Sequence, residues 1–146
     1  MKYLILTMAL LSVKSDYVVF DFNKQSNLTN WVIVDDVVMG GRSSGSIEID
    51  NNGNGVYSGS ISLQNNGGFS SLRYKMDRLS VEKHKKIKLR VKGDGKNFQL
   101  RIKANSGDYY SYISQLSTNK EWQEIEIPLK DMYPSFRGRK LDFPHF

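Results

Sequence analysis

The sequence contains no cysteine, and its 146 residues include only two histidines and three prolines. Without cysteine the protein has no disulfide, no thiolate nucleophile, no cysteine metal ligand and no lipid anchor on an N-terminal cysteine. The two histidines, His84 and His145, leave few groups for general acid or base chemistry. These absences argue against an enzyme and against a metal or other cofactor, and they require the fold to be held by its core alone.

Strong charge and long apolar runs are also missing. The net charge of +6 is modest, so it favours solubility and weak attraction to anions. Few aromatic side chains interleave with the basic ones, so we expect no nucleic-acid partner. The apolar run Tyr3–Val13 is shorter than the about 20 residues that a bilayer requires, so we expect no membrane span.

The first fifteen residues have the pattern of an export signal. Lys2 supplies a short positive region before the apolar run Tyr3–Val13. Val13 and Ser15 are small residues of the kind that precede a cleavage point, which we place after Ser15. The pattern predicts an exported protein, periplasmic or secreted. The alternative is a buried first strand in a cytoplasmic protein, since short apolar runs are ambiguous.

Apolar and polar residues alternate along most of the remaining chain, which is typical of strands with one buried and one solvated face. Gly- and Asn-rich turns separate the strands. Helix is expected only as short turns at Leu79–Lys86 and Leu129–Met132. The pattern therefore predicts one all-β domain over residues 16–146, an antiparallel β-sandwich. Its expected strand segments are Tyr17–Phe22, Ile47–Ile49, Tyr57–Leu63, Ile87–Lys92, Phe98–Lys103, Tyr109–Ile113 and Trp122–Ile127.

Gly93-Asp94-Gly95 is expected to form a tight hairpin turn between Ile87–Lys92 and Phe98–Lys103, because alternating apolar faces flank it. That hairpin would place basic residues of both strands side by side as a basic ribbon. The simpler interpretation is a solvated sheet face that prevents edge pairing, and the alternative is a face that binds anions. The ribbon consists of Lys88, Arg90, Lys92, Arg101 and Lys103.

The stretch from Trp31 to Gly45 is the most informative part of the chain. An apolar run ends at the adjacent acids Asp35 and Asp36, and the turn Gly40-Gly41 then leads to Arg42 and Ser43. Glycine allows the backbone to approach a partner closely. We expect Asp35 or Asp36 to form an ion pair with Arg42 or Arg73, because a half-buried arginine needs a carboxylate.

Several catalytic and metal-binding patterns fail on their context. Gly41–Gly45 fits the G-x-S-x-G pattern, but a nucleophile elbow requires a following helix and a downstream histidine. Asp50–Gly55 resembles half of an EF-hand loop, but it lies between strands and is expected to be a hairpin turn. Asp35 and Asp36 point to opposite faces of a strand, so they do not form a glycosidase pair.

These segments together resemble the complex I intermediate-associated protein family, whose eukaryotic members include a mitochondrial complex I assembly factor. The resemblance runs from Trp31 to Arg139 and is carried by Asp35–Ser43, Asn65–Arg73 and Phe136–Arg139. It implies a galactose-binding-like jelly-roll sandwich. Within these segments we single out six candidate ligand-binding residues, Asp35, Asp36, Arg42, Ser43, Asn66 and Arg73.

The chain departs from that family at its end. The family's domain continues past the Arg-Gly segment into further strands, whereas this chain stops at Phe146. Strand signals end with Trp122–Ile127, and the tail Pro134–Phe146 carries two prolines, which suit edges and loops. The domain is therefore expected to lack its last strands and to leave an exposed edge, through which the protein could self-associate.

Three functions follow from these features. The first is a non-enzymatic module that binds protein partners in assembly or scaffolding, which the resemblance implies. The second is an exported carbohydrate-binding module, in which an outward-facing ring among Tyr109, Tyr110 and Tyr112 would stack on a sugar. The third is an enzyme, which the shortage of acids, bases and nucleophiles argues against.

Overall fold

The computed structural model describes residues 16–146, and the export signal and its cleavage point after Ser15 lie outside these residues. The protein is all-β, as the alternating sequence predicts, and all the strand pairs of the described part are antiparallel. The chain divides into two compact units, of which the first ends at Met76 and the second runs from Asp77 to Phe146. The helices among residues 16–146 are three short 3-10 turns.

The first unit contains four strands arranged as two antiparallel pairs. Strand β1 (Trp31–Asp35) pairs with β4 (Ser70–Tyr74), and β2 (Ser44–Ile49) pairs with β3 (Gly55–Ser60). The 3-10 turns of this unit cover Asp36–Met39 and Gln64–Asn66. Both turns lie near the chain segments that connect the two strand pairs, which is where the candidate site is found.

The predicted hairpin turn between β2 and β3 is confirmed. One Asp50 oxygen accepts hydrogen bonds from the backbone N–H groups of Asn52 and Asn54, both at 2.8 Å, and the other accepts from the Asn54 side chain at 3.0 Å. Gly53 has a φ of 85°, which glycine adopts without strain. The carboxylate therefore organises a turn, as short acids commonly do.

The second unit contains six strands in two sheets. Strand β5 (Lys86–Lys92) pairs with β8 (Trp122–Pro128). The other sheet has the order β10-β9-β7-β6. Its strands are β6 (Asn97–Ile102), β7 (Ser111–Ser117), β9 (Tyr133–Phe136) and β10 (Arg139–Lys140). A 3-10 turn at Leu129–Asp131 follows β8, close to the single turn predicted at Leu129–Met132.

Apolar residues from both sheets form the core of the second unit. Met132 is fully buried, and Leu116, Ile127 and Leu129 pack with it. Alternate residues of β5, β6 and β8 face this cluster, which explains the period of two in their sequences. The packed pair of sheets in this unit is consistent with the predicted β-sandwich.

The predicted hairpin at Gly93-Asp94-Gly95 is wrong. Strand β5 pairs with β8 and β6 pairs with β7, so the two segments belong to different sheets. Alternation identifies which side chains are buried, but it does not identify the partner strand. Gly93 allows the backbone to pack closely against Thr118, since a Cβ at this position would lie 2.1 Å from the Thr118 hydroxyl oxygen.

The basic ribbon is wrong for the same reason. Across the β5–β8 pair, Lys88 lies opposite Glu126 and Arg90 lies opposite Glu124. Lys86 also forms an ion pair with Glu126 at 2.6 Å. Opposite charges on directly opposed residues stabilise a sheet, so the basic residues of β5 face acids of β8.

The tail after Ile127 forms strands, contrary to the prediction that strand signals end there. β9 pairs with β7, and β10 pairs with β9. Pro134 lies in β9 opposite Tyr112, so proline is accommodated within this short strand. β10 has only two residues, Arg139 and Lys140, and a short charged edge opposes pairing with another chain.

Two further segments differ from the sequence prediction. Tyr17–Phe22 is not a strand, although Phe20 and Phe22 pack against Trp31 with ring centroids 5.2 and 5.1 Å from it. Leu79–Lys86 forms no helix but contains one hydrogen-bonded turn, in which the His84 N–H donates to the Val81 carbonyl at 2.8 Å. Lys86 already begins β5. None of the helices among residues 16–146 is long and apolar enough to cross a membrane.

Candidate functional site

The candidate site is built around Asp36, the first residue after β1. Its backbone N–H donates a hydrogen bond to the Phe69 carbonyl at 3.1 Å, and its own carbonyl accepts one from the Gly41 N–H at 2.9 Å. Gly40 ends the 3-10 turn in the left-handed region, with a φ of 86°. The chain therefore reverses within five residues and directs the Asp36 side chain inward.

The Asp36 carboxylate is fully buried and accepts four hydrogen bonds. One oxygen accepts from the Ser43 N–H at 2.8 Å. The other accepts from the Ser43 hydroxyl at 2.5 Å and from the backbone N–H groups of Gly68 at 2.5 Å and Phe69 at 3.3 Å. We call this arrangement of Asp36, Ser43, Gly68 and Phe69 the Asp36 cage.

Ser43 extends the cage to a third segment. Its side chain is buried, and its hydroxyl oxygen accepts a hydrogen bond from the Ser62 N–H at 3.0 Å while donating to Asp36. The side-chain amide of Asn65 also donates to the Gly40 carbonyl at 3.0 Å. The cage and these two bonds fasten residues 36–43 to residues 62–69.

Two glycines allow the backbone to approach the carboxylate. A Cβ on Gly41 would lie 2.3 Å from the Asp36 carboxyl carbon, and a Cβ on Gly67 would lie 2.4 Å from a carboxylate oxygen. Both distances are far below van der Waals contact, so only glycine fits at either position without displacing Asp36. These two glycines therefore belong to the cage as much as its hydrogen-bond donors do.

The cage keeps Asp36 ionised. Burial removes water from the carboxylate and by itself raises the pKa, but the hydrogen bonds from the Ser43 side chain and from three backbone N–H groups outweigh that effect. The resulting pKa of Asp36 falls from 3.8 to about 2. At neutral pH the buried carboxylate is charged, and N–H and O–H dipoles compensate that charge.

The predicted ion pair between an aspartate and an arginine is wrong. Among the described residues, neither Asp35 nor Asp36 forms a salt bridge with Arg42 or Arg73. Arg42 is exposed, and the exposed Arg73 donates to the Ser71 hydroxyl at 3.2 Å. Four hydrogen bonds already compensate the Asp36 charge, so no guanidinium is required.

The Asp35 side chain lies on the opposite side of the end of β1 from that of Asp36. One of its oxygens accepts a hydrogen bond from the Gly45 N–H at 3.0 Å. The other is buried and has no hydrogen-bond partner among residues 16–146. Nearby, the Tyr57 hydroxyl and the Ser70 hydroxyl lie 2.5 Å apart. The two adjacent acids thus bond to different residues, as expected for alternating side chains.

Of the six candidate ligand-binding residues, the structure brings only Asp36 and Ser43 into contact, and both are buried. Arg42, Asn66 and Arg73 are exposed. The ligand-binding role of the six residues stays a prediction. Sequence reasoning missed Asn65 and Ser62 as residues that fasten the cage, although Asn65 stands in the same turn as the chosen Asn66.

The cage presents apolar side chains to solvent. Val37, Val38 and Met39 follow Asp36 in the 3-10 turn, and their side chains are exposed, Val38 by 72%. Leu63, on the segment fastened to the cage, is 81% exposed. We call Val37, Val38, Met39 and Leu63 the loop surface. Several exposed apolar side chains carried on two hydrogen-bonded loops are typical of interaction sites.

The chemistry of the cage is that of a structural element. The carboxylate is inaccessible to solvent and its oxygens are occupied by hydrogen bonds, so it offers no proton acceptor to a substrate. Among the described residues, no group of three or more His, Asp or Glu side chains could hold a metal ion. What the arrangement does is fix two loops and the apolar side chains that they carry.

Comparison with known proteins supports the family resemblance. The family model described as Complex I intermediate-associated protein 30 (CIA30) matches residues 20–145. A curated relative, "Complex I intermediate-associated protein 30, mitochondrial" of Mus musculus, is 24% identical over 147 aligned residues. That alignment covers 86% of this chain and 45% of the relative, so the chain spans less than half of the relative's length.

The prediction of an exported protein is wrong by this comparison. The name of the mouse relative places that protein in mitochondria, which argues against the predicted export. The apolar run Tyr3–Val13, from which export was predicted, is a short pattern that several kinds of segment share.

Proposed function

Since the chain belongs to the complex I intermediate-associated protein 30 family, we propose that it is a non-catalytic, protein-binding domain in the assembly of respiratory complex I. The family match extends over nearly all described residues and includes the whole Asp36 cage. The mouse relative carries the complex I association in its name. This domain would share that association and bind its partner through the loop surface.

The loop surface is the observation that carries the proposal. Three consecutive apolar side chains, Val37, Val38 and Met39, stand exposed on a turn whose first residue is buried and hydrogen-bonded. Exposing such side chains costs free energy in an isolated protein, and burying them against a partner recovers it. Because the turn is fixed before binding, little conformational entropy is lost on association. The fitting occupant is an apolar face of a protein subunit.

The aliphatic character of this surface favours protein over carbohydrate. Sugar-binding sites present an aromatic ring beside polar groups, on which the sugar stacks. The exposed groups of the loop surface are two valines, a methionine and a leucine, all exposed by 60% or more, whereas the aromatic ring of the cage residue Phe69 is exposed by only 36%. Its chemistry therefore suits an apolar protein surface.

We expect Val38→Asp to reduce the amount of assembled complex I by roughly threefold or more, because a carboxylate in an apolar interface loses its hydration without gaining a partner. The measurement is the level of assembled complex on native gels. It uses cells of the protein's own host in which the gene has been deleted and replaced by the variant.

Val18→Asp is the matched control. Val18 has a similar exposure, 68% against 72% for Val38, and lies outside the loop surface. Cells with Val18→Asp should assemble the complex at the wild-type level. Equal assembly with both variants, or normal assembly after deletion of the gene, would contradict the proposed function.

A further inference from the structure

The turn between β9 and β10 holds an arginine in a conformation that arginine rarely adopts. Arg139 pairs with Phe136, so Arg137 and Gly138 alone form the loop. Their φ angles are 48° and 78°. Two positive φ angles are typical of a type I′ turn, in which Asn and Gly are favoured. Non-glycine residues in this region are strained, and such strain is often found at functional sites.

The Arg137 side chain lies against an exposed aromatic pair. Its guanidinium carbon is 5.2 Å from the centroid of the Phe136 ring. Phe136 packs edge-to-face against Tyr109 with ring centroids 5.2 Å apart, and Tyr109 is 59% exposed. Arg139 is the cross-strand neighbour of Phe136, so both lie on the same face of the hairpin. The Arg137 guanidinium therefore lies over one exposed ring, and Arg139 lies beside the same ring across the hairpin.

The charges of this face are uncompensated within the described part of the chain. Neither Arg137 nor Arg139 forms an ion pair with a carboxylate among residues 16–146. Stacking on a ring leaves the N–H groups at the edge of a guanidinium free to bind a carboxylate through two parallel hydrogen bonds. The face thus offers cationic donors beside an apolar contact.

From this geometry we propose that Tyr109, Phe136, Arg137 and Arg139 form a second binding surface, the hairpin surface, which binds an acidic segment of a protein partner. Carboxylates of the segment pair with the two arginines, and an apolar side chain packs against Tyr109. The inference rests on the proposed function in taking the partner to be a protein. It adds a separate surface in the second unit and the chemistry that this surface recognises.

Single-stranded nucleic acid, another anionic partner, fits this surface less well. Base stacking requires free ring faces. At the hairpin surface the guanidinium of Arg137 lies over the Phe136 ring, and the Tyr109 and Phe136 rings meet at 85°. The rings are engaged with each other and with arginine, while the guanidinium edges are free, which favours carboxylates.

The test is a fluorescence titration of the full chain with a labelled acidic peptide. The peptide has about ten residues, with Asp and Glu on both sides of one central Phe, and salt is kept near 50 mM so that charge interactions are weakly screened. We expect Arg139→Gln to weaken binding about tenfold. Lys140→Gln, which removes the same charge from the opposite face of β10, should change the affinity less than about twofold.

Three results would overturn the inference. Equal losses with Arg139→Gln and Lys140→Gln would mean that only net charge attracts the peptide. Tighter binding of a single-stranded oligothymidine than of the peptide would identify a nucleic-acid surface. Failure of the peptide to bind the unaltered chain would mean that the hairpin surface does not recognise acidic segments.

Arg137→Asn separates binding from a merely structural role. Asparagine suits a type I′ turn better than arginine, so we expect the melting temperature to stay the same or to rise. The same variant should weaken peptide binding about tenfold. A lower melting temperature would contradict the strain argument, and an unchanged peptide affinity would show that Arg137 does not serve binding.

The two proposals fail separately. Val38→Asp should leave peptide binding intact, because the loop surface belongs to the first unit and the hairpin surface to the second. Arg139-dependent peptide binding together with normal complex I in the deleted host would keep the hairpin surface and overturn the proposed function. Loss of assembly with Val38→Asp and equal peptide binding by Arg139→Gln would do the reverse.

Discussion

Replacing Gly41 by alanine is expected to lower the melting temperature by on the order of 10 °C. The added Cβ would lie 2.3 Å from the Asp36 carboxyl carbon and 2.4 Å from one of its oxygens. The obstacle is a buried side chain held by four hydrogen bonds, so it cannot move aside without breaking them. Thermal unfolding followed by circular dichroism measures the effect.

Gly107→Ala is the matched control for this substitution. No heavy atom lies within 4 Å of a Cβ built on Gly107, and its φ is not in the left-handed region. Its melting temperature should remain within about 2 °C of the wild-type value. If Gly41→Ala has the same melting temperature as Gly107→Ala, the close approach of the backbone to Asp36 is not part of the fold.

Replacing Asp36 by asparagine should destabilise the protein to a similar degree at neutral pH, again by on the order of 10 °C. Both carboxylate oxygens accept hydrogen bonds, so an amide group would turn one acceptor into a donor facing other donors. The surrounding N–H groups would be left buried without a partner. Loss of charge also weakens each remaining bond.

Asp36 should also contribute to acid unfolding. Its pKa is lowered from 3.8 to about 2 by the hydrogen bonds that outweigh burial. Because the folded state binds the proton less readily than the unfolded state, the stability that the carboxylate supplies is complete above about pH 4 and is lost as the pH falls toward 2. Asp36→Asn lacks a group that titrates there.

The pH dependence distinguishes the loss of the Asp36 charge from a general loss of stability. Urea midpoints of wild type and Asp36→Asn should differ most at pH 7 and approach each other between about pH 4 and 2. A difference that stays constant over this range would mean that the charge of Asp36 does not stabilise the fold.

Local sequence patterns predicted the strands better than their partners. Alternation identified the segments that became β5, β6 and β8, and the Asp50 turn predicted the β2–β3 hairpin. The choice of β8 as the partner of β5 depends on cross-strand contacts such as Arg90 opposite Glu124, which lie far apart in sequence. The β9–β10 hairpin was missed because its turn is Arg-Gly rather than Asn-Gly.

The sequence singled out the segment that contains Asp36 and Ser43, but the ion pair expected there does not form. Asp36 and Ser43 stand in one conspicuous segment, and the structure places them in direct contact. Their remaining partners are backbone N–H groups of Gly68 and Phe69, which any residue but proline could supply and which no side-chain pattern reveals. An arginine was therefore expected where backbone groups compensate the charge.

We propose that the Asp36 cage presents an apolar surface that binds a protein in complex I assembly. The most direct test places a photo-crosslinking amino acid at Val38 in the native host and identifies the crosslinked products by mass spectrometry, with the same group at Val18 as the control. We predict that position 38, and not position 18, crosslinks to a subunit or assembly intermediate of complex I. Crosslinks to such proteins from neither position, or equally from both, would contradict the claim.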